Sequence, residues 1–219
     1  MPRPKPRAWP KSLILLLMLN ILPELVFDLF VLSSQDGLAA ILRTRLYQYL
    51  AFWPSLLSGA HAGYPGQALF MFLTYGFLHA GLAHLTINMI TLVSLSRPLL
   101  ESLGSRRFMS LYLIGIIGGA GGYALLATQP QPMVGASGAL FGLAGALLWE
   151  RAVEDLRDLG LWETLRGLAF PLLWLVLINV VMYVAFNGHL AWEAHLGGCI
   201  SGAIAMAWLM HRRKAQGTD

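Results

Sequence analysis

This sequence contains few charged residues and a single cysteine, and both scarcities exclude classes of protein. Charged residues make up 12% of its 219 residues and hydrophobic residues 57%, with a mean hydropathy of +0.62. A soluble domain does not need so much apolar surface to fill its core. With Cys199 as the one cysteine, the chain cannot form an internal disulfide or a thiolate metal cluster. The composition indicates a protein of the lipid bilayer.

The motifs of several enzyme classes are also missing. There is no His-Glu-x-x-His, which disfavours a zinc protease. The chain has no pair of aspartates in two apolar runs, since Asp28 is the only aspartate in any of them. Ala139 stands where the Gly-x-Ser-x-Gly elbow of soluble hydrolases requires its second glycine. No basic stripe interleaved with aromatic residues is present, so we expect no nucleic-acid partner. We also expect no metal and no cofactor.

Six apolar runs are candidates for membrane spans. They lie at residues 13–32, 84–100, 108–127, 137–149, 165–186 and 191–210. A helix needs about 20 residues to cross about 30 Å of hydrocarbon, and the fourth run covers only about 20 Å. Irregular backbone below the membrane surface is tolerated only inside protein or beside a water-filled cavity. We therefore predict an all-α bundle of six transmembrane helices, with a short fourth helix that begins at Ser137 beside a cavity.

The basic residues are distributed unevenly around these runs. Of the 15 lysines and arginines, all except Arg43 and Arg45 fall on the side of the termini. The positive-inside bias makes that side cytoplasmic. We predict basic cytoplasmic tails at 1–12 and 212–219 around a membrane domain at 13–211 in the plasma (inner) membrane. The segment 33–78 would be external and lie in the interface, where its aromatic residues are favoured.

A serine and a histidine head the fourth and sixth runs, and a polar pair lies in the second. Ser137 can act as a nucleophile once a base takes its proton, and His195 can be that base. His84 and Asn88 share one helix face and, with the backbone N–H of Ser137, can donate to an oxyanion. Each alone has a structural interpretation, because a serine in a membrane helix usually serves packing. The combination favours catalysis. No carboxylate completes a triad, since Glu193 is too close along the helix to His195 and points elsewhere.

Glycines are spaced to bring these residues together. Gly138 and Gly142 form a GxxxG pattern in the fourth run, and Gly198 and Gly202 form another in the sixth. Small residues allow helices to approach closely in lipid. Packing alone is one interpretation of these glycines. The other is that close contact of the two helices brings the serine and the histidine into reach.

These residues resemble the motifs of the rhomboid family of intramembrane serine proteases over about residues 71–210. Three motifs carry the resemblance: Gly135-Ala136-Ser137-Gly138 resembles GxSG, Ala194-His195 with Gly198 and Gly202 resembles AHxxGxxxG, and His79, His84 and Asn88 resemble the second-helix pattern. The compact six-span form resembles bacterial members.

The resemblance implies a role for each matched residue. Ser137 would be the nucleophile and His195 the base, with His84 and Asn88 as oxyanion donors. His79 would support the loop above its helix. Phe141 stands where many members have a tyrosine stacked on the catalytic histidine, so a ring contact with His195 is expected without a phenol hydrogen bond. The substrates would be transmembrane segments of other proteins.

Two other functions are compatible with a polytopic membrane protein. A catalytically inert relative would bind membrane clients, but such proteins usually lose the serine or the histidine, and both are present here. A transporter typically shows repeats or broken helices in both halves of the chain, and this sequence shows neither. Glu24 and Asp28, four residues apart in the first run, could line a proton path but are expected to face partners inside the bundle.

The charge distribution predicts that residue 60 is external and residue 215 is cytoplasmic. Single cysteines introduced by Ala60→Cys and Ala215→Cys in a Cys199→Ser background test this with a membrane-impermeant thiol reagent. We expect intact cells to be labelled at position 60 only, and position 215 to react once the membrane is opened. Labelling of detergent-solubilised protein controls for reactivity. The reverse pattern in intact cells would require another count of the spans.

Overall fold

A computed structural model describes residues 9–33, 38–128 and 130–215, without the side chains of 28–33, 38–39 and 214. The ends of both predicted tails and the side chain of Asp28 lie outside the described residues. Eight α-helices occur in these ranges: α1 Lys11–Ser33, α2 Leu38–Leu50, α3 Pro54–Leu57, α4 Gln67–Thr74, α5 Leu82–Leu126, α6 Ser137–Asp158, α7 Leu161–Ala185 and α8 Trp192–Ala215. Within the described ranges, extended pairing is limited to one isolated antiparallel bridge, between Phe52 and Met133. The predicted all-α class is confirmed.

The 45-residue helix α5 folds back on itself at Gly104, where φ is 73° and ψ is 168°. A Cβ added at Gly135 would lie 3.0 Å from Nε2 of His84, and one added at Gly119 would lie 3.0 Å from Cα of Gly138. A straight helix would separate residues 84 and 119 by about 50 Å, yet both lie against the start of α6. Helix α5 is therefore a helical hairpin that contains the predicted second and third runs, and the positive φ at its bend favours glycine.

Helix α6 begins at the predicted residue, Ser137, but continues to Asp158 rather than ending at Trp149. The extension contains glutamates and arginines, which are good helix formers. Arg151 and Asp155 pair across one turn of it at 3.3 Å. The short apolar run is therefore the first part of a longer helix whose second part is polar.

The apolar surface of the molecule is that of a membrane protein. Helix α7 buries only Thr164, and its apolar side chains Phe170, Leu173 and Val184 are each about two-thirds exposed or more, at 73%, 67% and 69%. So much exposed apolar surface on one helix is rare on soluble monomers. Among the described helices, α5 and α7 are long and apolar enough to cross a membrane.

Helix α8 packs against both α6 and α5 through glycines. A Cβ added at Gly198 would overlap the carbonyl oxygen of Gly138, and one added at Gly202 would overlap that of Gly142. On the side that faces α5, a Cβ at Gly197 would lie 2.8 Å from Cα of Gly122. Two helix backbones thus approach α8 where it has no side chains.

The segment between α1 and α5 is held to the bundle by polar contacts. Arg43 of α2 pairs with the buried carboxylate of Glu24 of α1 at 2.8 Å. Phe52 and Met133 exchange backbone hydrogen bonds of 3.0 and 2.9 Å, which fasten the segment to the loop before α6. These two hydrogen bonds give backbone groups of the loop partners within the protein.

We expect Gly198→Leu to lower the melting temperature of the protein in detergent, because a side chain there must displace the backbone of Gly138. The expected cost is of the order of 1–3 kcal/mol, and Gly198→Ala should be intermediate. Ile204→Leu is the matched control, since Ile204 lies on the same helix and is 65% exposed. Equal melting temperatures for Gly198→Leu and Ile204→Leu would contradict the close packing of α8 on α6.

Candidate active site

Ser137 is the first residue of α6, and a loop of fixed shape leads into it. Gly135 has a φ of 131°, which glycine adopts readily and other residues rarely do. Its N–H donates to the carbonyl oxygen of Tyr75 at 3.0 Å, and the Tyr75 hydroxyl donates to the carbonyl of Ile116 in α5 at 2.8 Å. The N–H of Ser137 has no intrahelical acceptor, because it belongs to the first turn. Ser137 therefore presents both a hydroxyl and a backbone donor at a held position.

His195 lies in the first turn of α8 and is buried, with 6% of its surface exposed. Its ring stacks on that of Phe141, with centroids 4.2 Å apart and planes at 3°. Phe141 is one turn after Ser137 on α6, so the stacking brings the histidine to the helix face that carries the serine. Among the described residues, no hydrogen bond joins Ser137 to His195. Catalytic hydrogen bonds in enzymes without substrate are often long and tighten in the complex.

Asn179 of α7 is a site residue that the sequence analysis did not single out. Its Oδ1 lies 2.6 Å from Nδ1 of His195, and its Nδ2 donates to the carbonyl of Leu175 at 2.8 Å. The sequence did contain an indication of this residue, because a side-chain amide in an apolar span is costly and usually marks function. Nothing in the spacing connects residue 179 with residue 195.

His84 turns one ring nitrogen toward Ser137. The N–H of Ala80 donates to Nδ1 of His84 at 3.4 Å, which leaves the ring proton on Nε2. A Cβ added at Gly135 would lie 3.0 Å from that Nε2 and 3.7 Å from Oγ of Ser137. Nε2 of His84 and the serine hydroxyl therefore lie on either side of Gly135 in the loop before α6.

Asn88 follows His84 by one turn and is buried, with 4% of its surface exposed. Within the described residues, its Nδ2 has no hydrogen-bond partner. A buried amide donor without a partner is costly in a native structure. Asn88 thus has a donor to offer at the wall of the site.

His79 contacts the preceding segment through its backbone. Its carbonyl oxygen accepts hydrogen bonds from Tyr47 and Arg43. Both ring nitrogens are buried without a partner in the described part of the chain, and the ring meets that of His84 edge-on, at 5.2 Å between centroids. His79 therefore contacts α2 through its peptide group, while its ring packs on His84.

One cavity of about 950 Å³ joins these groups. Its lining includes Ser137, His195, His84, Asn88 and Asn179. Side chains of α7 and the loop after it form the opposite wall, among them Trp174, Met182 and Phe186. Its volume is at the upper end of the range found for ligand-binding clefts. The described residues contain no group of three or more His, Cys, Asp or Glu side chains that could hold a metal ion.

Comparison with known proteins gives a match that contains every candidate residue. The sequence model of the Rhomboid domain matches residues 66–213. RHOMBOID-like protein 5 of Arabidopsis thaliana is 36% identical over 128 residues, which are 58% of this chain and 39% of that protein. Rhomboid protease GluP of Bacillus subtilis is 34% identical over 137 residues, 63% of this chain and 25% of that protein.

Another similar protein matches over most of its own length. Putative rhomboid protease YdcA of Bacillus subtilis is 28% identical over 169 residues, 75% of this chain and 79% of that protein. The matches to RHOMBOID-like protein 5 and GluP, by contrast, span well under half of those proteins.

Proposed function

The chain belongs to the rhomboid family of membrane proteins, and we propose that it is an intramembrane serine endopeptidase that cleaves transmembrane segments of other proteins. The observation that carries this proposal is the stack of Phe141 on His195, because it brings the histidine to the face of α6 that begins with Ser137. A nucleophile, a base and oxyanion donors then border one cavity.

In the proposed reaction, Oγ of Ser137 attacks the carbonyl carbon of a peptide bond while Nε2 of His195 accepts the hydroxyl proton. The carbonyl oxygen becomes an oxyanion beside Nε2–H of His84, the amide of Asn88 and the N–H of Ser137. The protonated His195 then gives its proton to the leaving amine as the carbon–nitrogen bond breaks. A water molecule, deprotonated by His195, then attacks the acyl carbon, and His195 returns this proton to Oγ of Ser137 as the carbon–Oγ bond breaks and the carboxylic acid product leaves.

The substrates we propose are transmembrane segments with a locally loosened helix near the cleaved bond. A peptide bond inside a regular helix is hydrogen-bonded and sterically shielded, so glycine, proline or polar residues near the cut would favour its entry. The small residues Gly135 and Ala136 before Ser137 favour a small side chain before the cleaved bond. We also propose cytoplasmic termini in the plasma membrane, from the charge distribution.

We expect Ser137→Ala and His195→Ala to abolish cleavage of a model transmembrane substrate by purified protein in detergent. Ser137→Ala removes a single oxygen atom, so expression and melting temperature should stay close to wild type. His195→Ala also loses the stack on Phe141 and the hydrogen bond to Asn179, so its melting temperature should fall. A fluorophosphonate should label wild-type protein at Ser137, as read by mass spectrometry. Substantial cleavage by Ser137→Ala would refute the assignment. Absence of both cleavage and labelling in the wild type would favour an inert, client-binding relative.

We expect His84→Ala and Asn88→Ala to keep measurable activity, each reduced about 100-fold, because each removes one oxyanion donor while the nucleophile and base remain. Single-turnover cleavage measures this loss, and labelling of Ser137 should persist at a lower rate. Thr91→Ala is a matched control, since Thr91 also lines the cavity and its hydroxyl is bound to the carbonyl of Ile87. A wild-type rate of cleavage by Asn88→Ala would contradict the assignment of Asn88 as an oxyanion donor.

A further inference from the structure

We propose that Asn179 is a positioning residue that holds His195 in the tautomer able to act as a base. The proposal rests on the function proposed above and adds a third polar group, on a third helix, to Ser137 and His195. Oδ1 of Asn179 lies 2.6 Å from Nδ1 of His195, well within hydrogen-bond distance.

The orientation of the Asn179 amide follows from its second contact. Its Nδ2 donates to the carbonyl oxygen of Leu175 at 2.8 Å, one turn earlier in α7. A carbonyl oxygen only accepts, so the amide nitrogen belongs on that side and Oδ1 belongs on the side of His195. Oδ1 is also only an acceptor. Nδ1 of His195 must therefore carry a proton.

This arrangement determines which nitrogen of His195 can accept a proton. In a neutral imidazole one nitrogen carries the hydrogen and the other accepts. With the hydrogen on Nδ1, the lone pair is on Nε2, the nitrogen on the opposite side of the ring from Asn179. The other neutral tautomer would put a hydrogen on Nε2, and that nitrogen could not accept the hydroxyl proton of Ser137. Aspartate has this role in soluble serine proteases, and a neutral amide suits a membrane interior better than a buried charge.

Two contacts together hold the ring. Phe141 stacks on its face at 4.2 Å and limits its tilt, while Asn179 contacts its edge and limits its rotation in the plane. The hydrogen bond is also a polar link between α7, which buries only Thr164, and the centre of the bundle. A displacement of α7 would therefore change the tautomer and the orientation of His195 directly.

The first test measures the tautomer without using activity. Nitrogen-15 NMR of protein labelled at its histidines distinguishes a protonated from an unprotonated ring nitrogen, and His195→Gln identifies the signal of His195. We expect wild-type His195 to be protonated at Nδ1, and Asn179→Leu to lose that preference. A wild-type ring protonated at Nε2, or the same tautomer in Asn179→Leu, would overturn the proposal.

The second test measures the rate at which a fluorophosphonate labels Ser137. We expect Asn179→Leu to lower it on the order of 100-fold, short of the about 10⁴-fold loss caused by a wrong tautomer in proteases with an aspartate. Asn179→Asp keeps an acceptor, so much of the rate should return. Its carboxylate stabilises the protonated ring, so the acid limb of the rate profile should move to higher pH, which a purely structural role would not produce. An unchanged rate in Asn179→Leu would overturn the proposal.

Asn20→Leu is the matched control for loss of a helical asparagine. Nδ2 of Asn20 donates to the carbonyl of Leu16 at 2.7 Å, in the same one-turn pattern, and its other contact is Tyr112. We expect Asn20→Leu to lower the melting temperature while folded protein keeps the wild-type labelling rate and His195 tautomer. If wild-type protein is never labelled, the protease function fails, whereas the NMR result still decides whether Asn179 sets the tautomer.

Discussion

The structure depends on the backbone contact between α8 and its neighbours α6 and α5. In lipid the burial of apolar groups adds little drive for helix association, so close packing has to supply it. The absent side chains of Gly138 and Gly198 let two helix backbones approach at the point where the site begins. Ser137 and His195 are one and three residues before these glycines. These two residues lie on the same cavity because the helices approach closely. The stack of Phe141 on His195 fixes how α8 is rotated about its axis relative to α6.

The irregular chain before Ser137 is also held in place by contacts with other parts of the protein. Tyr75 accepts from Gly135 with its carbonyl and donates to α5 with its hydroxyl, so one residue fixes the loop to the helical hairpin. The bridge between Phe52 and Met133 fixes the same loop from the other side. Unpaired backbone groups are costly away from water. The segment between α1 and α5 therefore supplies partners within the protein, Phe52 and Tyr75, for backbone groups of this loop.

The two sides of the cavity are built differently. On one side, Ser137 and His195 lie on α6 and α8, which pack on each other through glycines, and His84 and Asn88 lie on the first arm of the α5 hairpin. Helix α7 forms the other side with almost no buried residue, and it contributes Asn179 together with apolar side chains. The cavity thus has one side that carries the candidate site residues on closely packed helices and another side, formed by α7, that is packed less closely.

The sequence by itself determined the membrane class, the all-α fold, the family and the first residue of α6. Composition, the length of apolar runs and the spacing of motifs are local properties of the chain, and they carry that information directly. The polar part of α6 was not predicted, because hydropathy marks the end of an apolar run and does not mark the end of a helix. Only the tertiary structure showed that Glu24 pairs with Arg43, that α2 contacts the carbonyl oxygen of His79, and that Asn179 lies against His195. Those contacts depend on how each helix is rotated about its axis against its neighbours, and that rotation is set by packing between distant segments.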